Sequence, residues 1–375
     1  MTAHERELLD HRLPAPEPTE KLRVEERPVL DADGTPAAGL HNVWIWLDNP
    51  RQLNSYTTEM LKSLIAALRN ASLDRAAVCV VLTATGTRSF CTGGNTKEYS
   101  EYYAGRPQEY RQYMRLFNDL VTALLTCDKP VINRVNGMRL AGGQEIGMAS
   151  DFSIAADTAV FGQAGPKHGS APDGGSTDFL PLFVGVERAM QSCTLCQVWS
   201  AHRALAYGLI GGIAPAYRLD GRWMANPLVV TGQTADDLGR PCLGEFKEGE
   251  EMEEGRRLVE KARIDLSRLD EAVESLATQL LLTMPGCLTK TIESVRKHKL
   301  AHWDRNRETN RAWLALNMAG EGKAGFRAFH RGDKGERQVD FVKLRRLLAM
   351  GHAWDAELIE AILPPAARRG GKAAS

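Results

Sequence analysis

Two short stretches of this chain pair glycines with polar side chains in a way that could hold negative charge. The first is Phe90-Cys91-Thr92-Gly93-Gly94-Asn95, continued by Thr96, Lys97 and Glu98. The second is Asn136-Gly137-Met138-Arg139-Leu140-Ala141-Gly142-Gly143-Gln144-Glu145. Glycine lets the backbone approach a ligand closely and adopt positive φ, so that an N–H can point at an oxygen. Gly142 and Gly143 also open a stretch that reads as helix, whose first N–H groups have no intrahelical partner and lie at the positive end of the dipole. Two such amides from separate loops form an oxyanion hole, in which each donor contributes about 3–4 kcal/mol to the transition state. Neither stretch is a G-x-G-x-x-G or a Walker sequence, and a Gly-Gly pair taken alone is usually only a turn.

The elements that would carry these loops alternate in type. Asn42–Leu47 (NVWIWL) is a short apolar run fit for a strand, and Met60, Leu61, Leu64, Ile65 and Leu68 recur at helical spacing over Thr57–Arg69. Val78–Thr83 reads as a buried strand leading into the first glycine stretch. Residues 107–126 read as a helix with Pro107 at its start, and Val131–Val135 is a strand leading into the second stretch. Asp151–Ala156 is strand-like again. This is the α/β pattern. The expected organisation is an N-terminal arm (1–22), a core (23–215), a polar insertion or long loop (216–255), a helical C-terminal region (256–365) and a tail (366–375).

Bulk properties narrow the function class. The chain has 375 residues, with 47 basic and 47 acidic side chains and zero formal net charge, which does not suggest a general nucleic-acid surface. No apolar run reaches the roughly 18–20 residues that span a bilayer, and the charged, Pro-rich start lacks the apolar core of a signal peptide, so a cytoplasmic location is expected. Seven irregularly spaced cysteines argue against a disulfide framework. Cys193 and Cys196 form a lone C-x-x-C without the further ligands that a zinc site needs, so no metal is expected.

Taken together, the loops resemble those of the crotonase (enoyl-CoA hydratase/isomerase) superfamily. LDNPRQLNSYTTEM, SFCTGGNTKEY, KPVINRVNGMRLAGGQEIGMASDFSIAADTAVFGQ and SAHRALAYGLIGGIAPA resemble four family segments in the family's order, over roughly residues 42–216. The resemblance implies a spiral of ββα units assembled as homotrimers or hexamers, and an acyl-CoA substrate that needs no separate cofactor. It puts the two oxyanion amides at Gly94 and Gly142, with Lys97 beside the coenzyme A. Gly93, Asn95, Gly143 and Ser170 are the accompanying substrate contacts. Glu145 matches the first of two glutamates found in simple hydratases. The second would fall at Gly165, where there is no carboxylate, whereas Asp173 matches an aspartate of the ring-forming naphthoyl-CoA synthases. The stretch GQAGPKHGSAPDGGSTDFLP and the long C-terminal region resemble the family's ring-opening hydrolases, which act on a cyclic oxo-enoyl thioester in anaerobic benzoyl-CoA degradation. On that basis Glu145 and Asp173 are the expected acid–base pair, and His168 would orient a water. Asp178 and the tyrosines at 99, 102 and 103 are further candidates. The alternatives are another crotonase-type hydratase or Claisen-type lyase, and an inactive scaffold that binds RNA.

Overall fold

The computed structural model describes residues 19–368. Most of the expected arm and of the expected tail therefore lies outside the described residues. Strands β1 (Leu22–Leu30) and β2 (Pro36–Leu47) form an antiparallel hairpin. Its turn is tied by Asp31, whose Oδ1 accepts the N–H groups of Asp33 and Thr35. β1 was not predicted, because its polar sequence sits at a half-exposed edge. It is held there by guanidinium–indole contacts, with Arg27 4.1 Å from the Trp44 ring.

Helix α1 (Thr58–Leu73) follows, capped by Thr57, which accepts the N–H of Met60, and burying Met60, Leu61, Leu64 and Leu68. Three strand pairs then repeat one plan. β3 (Ala77–Ala84) is followed by β4 (Ser89–Cys91) and helix α2 (Pro107–Leu125). β5 (Val131–Val135) is followed by β6 (Met138–Leu140) and α3 (Gly142–Ala149). β7 (Phe152–Ala156) is followed by β8 (Val160–Gly162), α4 (Ser176–Val184) and α5 (Val186–Leu195).

The first strand of each pair joins one sheet and the second strand joins another. With β9 (Trp199–Ser200) and, after α6 (Ala201–Ala206), β10 (Gly212–Ala214), the orders are β1-β2-β3-β5-β7-β10 and β4-β6-β8-β9. Neighbouring strands from β2 to β10 in the larger sheet run parallel, so successive turns of this spiral carry their connections to the same edge. The two glycine loops come together there.

Residues 216–255, expected as an insertion or long loop, carry more order than their composition predicts. β11 (Tyr217–Leu219) and β12 (Arg222–Met224) form a hairpin closed by Asp220-Gly221, both at positive φ, a turn signal that the polar composition masked. Residues 225–248 fold back through isolated bridges, Val229 to Phe246 and Ala235 to Pro241, before α7 (Gly249–Lys261) and β13 (Arg263–Ile264).

The helical C-terminal region comprises α8 (Ser267–Leu281), α9 (Pro285–Asn317), α10 (Glu321–Arg331), α11 (Phe341–Ala349) and α12 (Ala356–Ile362). α9 crosses α2 and α4 and is anchored by Arg296. That guanidinium pairs with Asp151 and also reaches the carbonyls of Cys127 and Lys129, with both charged side chains almost fully buried. α10 lies against the turn Gly165–His168, so tightly that a Cβ at Gly325 would collide with the His168 carbonyl. Six of the seven cysteines are buried thiols, Cys193 and Cys196 among them, and Cys287 is exposed.

Candidate active site

The first glycine loop is threaded through a parallel bridge between Tyr56 and Gly94. The Tyr56 N–H donates to Gly93 O at 3.0 Å and the Asn95 N–H donates to Tyr56 O at 2.9 Å. This register turns the Gly94 N–H away from its neighbour strand. Asn95 then locks the loop: its Oδ1 accepts the N–H groups of Lys97 and Glu98, and its Nδ2 donates to Gln52 at 2.7 Å. Asn95 therefore shapes the loop, although it also lines the cavity.

The second loop enters α3 through Ala141, a non-glycine residue at φ 50°, ψ −126°. Such a conformation costs of order 1–3 kcal/mol and persists only where the surroundings enforce it. It presents the Gly142 N–H at the first position of the helix. The loops abut: a Cβ built on Gly93 would lie 3.1 Å from the Gly142 nitrogen. Among the described residues no acceptor engages the N–H of Gly94 or of Gly142. Side chains are excluded at both positions, since a Cβ would overlap the Tyr99 hydroxyl at Gly94 and the Tyr56 hydroxyl at Gly142. Gly143 faces the Cys91 carbonyl instead, a packing position.

Glu145, one turn into α3, is 6% exposed. Its Oε1 accepts the N–H of Gly174 at 3.0 Å and, more weakly, that of Ser176 at 3.5 Å. No donor among the described residues reaches its Oε2. Burial pushes the carboxyl up to about 8; the nearby charges of Asp173 and Asp178 act in the same direction, while the Ser176 and Gly174 amides pull against them.

These groups face one cavity of about 570 Å³, which also takes in Lys97, His168 and Ser170. Its inner wall is aromatic. Tyr56 stacks on Phe117 with ring centroids 5.4 Å apart, and Tyr99, hydrogen-bonded to Tyr113 at 2.8 Å, packs 4.8 Å from Phe326. His168 packs edge-on against Phe329 at 4.6 Å, and burial lowers its ring to about 4, leaving a neutral imidazole whose Nδ1 has no partner among the described residues.

Several expected residues stand elsewhere. Asp173 is adjacent to the wall, between Pro172 and Gly174, and its Oδ1 accepts from Thr177 Oγ1 at 2.9 Å, which ties it to the first turn of α4. It bears on Glu145 through charge. Asp178 is buried and held by Asn306 of α9. Gly165 has no room for a carboxylate, since even a Cβ would strike the Ser170 carbonyl. Tyr102 and Tyr103 face a separate groove with Thr58 and Glu109. Sequence reasoning missed Tyr56, Phe117 and the wall supplied by Leu314, Phe326, Phe329 and Arg337 of the C-terminal region. The apolar spacing of Tyr110, Met114 and Phe117 in α2 was the one available signal.

The enoyl-CoA hydratase/isomerase family model matches residues 41–227. A 6-oxocyclohex-1-ene-1-carbonyl-CoA hydrolase of Thauera aromatica is 57% identical over 361 residues, 96% of each chain. One of Geobacter metallireducens is 59% identical over 92% of this chain and 91% of its own. An enoyl-CoA hydratase/isomerase from Mycobacterium paratuberculosis, of known structure, superimposes with a TM-score of 0.62 at 15% identity, covering 83% of this chain and 99% of that one. The low identity of this last match speaks for the fold alone. The chain belongs to the enoyl-CoA hydratase/isomerase, or crotonase, family.

Proposed function

We propose that this protein is a cytoplasmic, homo-oligomeric hydrolase that hydrates and opens the ring of 6-oxocyclohex-1-ene-1-carbonyl-CoA, giving 3-hydroxypimeloyl-CoA without a separate cofactor. The observation that carries the reading is that the two glycine loops abut, so that Gly94 and Gly142 line one cavity with a buried carboxyl, Glu145. The family membership and the substrate named for its relatives support it. No helix among the described residues is long and apolar enough to cross a membrane.

Both steps of the reaction place charge on the same thioester oxygen. In the first, a water oxygen bonds to the β-carbon of the ring, its proton passes to ionised Glu145, and the electron pair of the double bond moves onto the thioester oxygen, held by the two amides. Glu145 then returns the proton to the α-carbon. In the second, a water oxygen bonds to the ring ketone carbon and its proton again passes to Glu145. The ketone's π pair, pushed onto its own oxygen by this attack, re-forms the C=O as the bond from that carbon to the α-carbon breaks. The pair from the broken bond moves onto the thioester oxygen, Glu145 protonates the α-carbon, and the carboxylic acid so formed loses its proton to solvent. Glu145 ends each step as it began. A carboxyl near 8 suits a group that must both take and give a proton close to neutral pH, a role contributing on the order of 10²–10⁴-fold. Asp173 supports this role by raising the proton affinity of Glu145.

Incubation with the cyclic enone thioester and mass analysis tests the reading. A gain of two waters and a linear dicarboxylic product are expected. A gain of a single water would assign a hydratase, and no gain would remove the reading.

A further inference from the structure

Ring opening turns a ketone into a carboxylate, so the product carries a charge that the substrate lacks. The end of the cavity near Glu145 suits that charge poorly. It is walled by Tyr56, Tyr110 and Phe117 and already lies in the field of Asp173 and Asp178. An unpaired carboxylate would pay a desolvation cost there and meet like charges.

The cavity wall offers few cations. Lys97 stands in the first glycine loop, which the family likeness puts beside the coenzyme A, and Arg51 lies in the neighbouring turn Pro50–Gln52. His330 is within 3.4 Å of Glu101. Arg337 shares with Lys97 and Arg51 the lack of a carboxylate partner among the described residues, and differs from all three in lining both this cavity and its neighbour. It comes from the connection between α10 and α11, and its guanidinium lies 5.7 Å from the Phe329 ring centroid. A second hollow, of about 800 Å³, meets the first at His168, Phe329 and Arg337 and carries Arg368 on its wall. Arg337 therefore stands where the two spaces join.

We propose that Arg337 binds the carboxylate created by ring opening and draws that end of the acyl chain from the acidic inner wall towards the second hollow. A guanidinium suits this task because it presents paired N–H donors to a carboxylate. The inference rests on the hydrolase reading and deepens it.

The test compares two inhibitors, 3-hydroxypimeloyl-CoA and 3-hydroxyheptanoyl-CoA, which differ in the terminal carboxylate. In the Arg337→Gln variant the inhibition constant of the dicarboxylic thioester should rise about fivefold, the upper end for a solvent-facing pair, while that of the monocarboxylic one stays put. Arg337→Lys should recover part of the difference. Equal weakening of both inhibitors would make Arg337 a coenzyme A contact and overturn the inference, as would no weakening of either. Turnover of the cyclic thioester by the unaltered protein is measured alongside. If it is present, a failed inhibitor test sinks the Arg337 assignment alone; its absence would remove the hydrolase reading and the inference with it.

Discussion

Replacing Glu145 with Gln should make the protein more stable and nearly inactive, with both effects governed by one titration. The carboxyl is buried, and burial holds its proton to about 8 instead of the ordinary 4.5. Below pH 4.5 the group is protonated folded or unfolded, so its ionisation costs nothing. Between 4.5 and 8 the unfolded chain releases the proton while the folded one keeps it, and stability falls as pH rises. At pH 7 the gap is 2.5 units, or about 3 kcal/mol at 1.36 kcal/mol per unit; above 8 it levels at about 5 kcal/mol. Glutamine keeps an oxygen for the Gly174 and Ser176 amides but never ionises. Urea unfolding of both proteins at pH 5, 7 and 9 should therefore show a difference that is small at pH 5 and widens in favour of the variant. Meanwhile kcat should fall on the order of 10²–10⁴-fold. Since ionised Glu145 starts each step, kcat/KM of the unaltered enzyme should rise towards pH 8 and level above it. A stability difference that does not change with pH, or a flat activity profile, would refute the environment assigned to this carboxyl.

Three further outcomes follow from the same geometry. The His168 ring, kept neutral by burial, should stay unprotonated down to about pH 4 in ring-nitrogen NMR; titration near 6.5 would place it in water. Arg296→Ala should cost about 3–5 kcal/mol in denaturant unfolding, because it strands the Asp151 carboxylate in the interior; a loss under 1 kcal/mol would mean that the pair is solvated. Phe326→Ala should raise KM for the cyclic thioester and cost about 3 kcal/mol of stability, since its ring closes the acyl wall over Tyr99; unchanged KM would take α10 out of the site.

The parts legible in the sequence were those whose signal is local. Val131–Val135 could be read as a strand because its Val and Ile residues form a short β-favouring run between turns, and the helix at Pro107 because proline marks its start and apolar residues repeat along one face. The glycine loops were legible only as a set, because either pair alone passes for a turn while the two with their flanking segments match one family order. What depends on distant pairing was not. β1 is too polar to signal a strand by itself and becomes one only against Trp44 and Trp46. The Tyr56 hydroxyl that excludes a side chain at Gly142 lies 86 positions away in the chain, and the α10 wall is more distant still. Asp173 illustrates the opposite hazard. Its position matches a known aspartate, but only the fold reveals that one of its oxygens is engaged by the neighbouring Thr177 and that its charge bears on Glu145.

Two backbone amides sharing one oxygen carry the proposed chemistry. A crystal structure with cyclohexanecarbonyl-CoA, a saturated thioester that cannot react, measures this directly. The thioester oxygen should lie roughly 2.7–3.1 Å from both the Gly94 and the Gly142 nitrogens, with the ring against Tyr56 and Phe117. An oxygen turned towards Glu145 or towards solvent, with either amide unengaged, would contradict it.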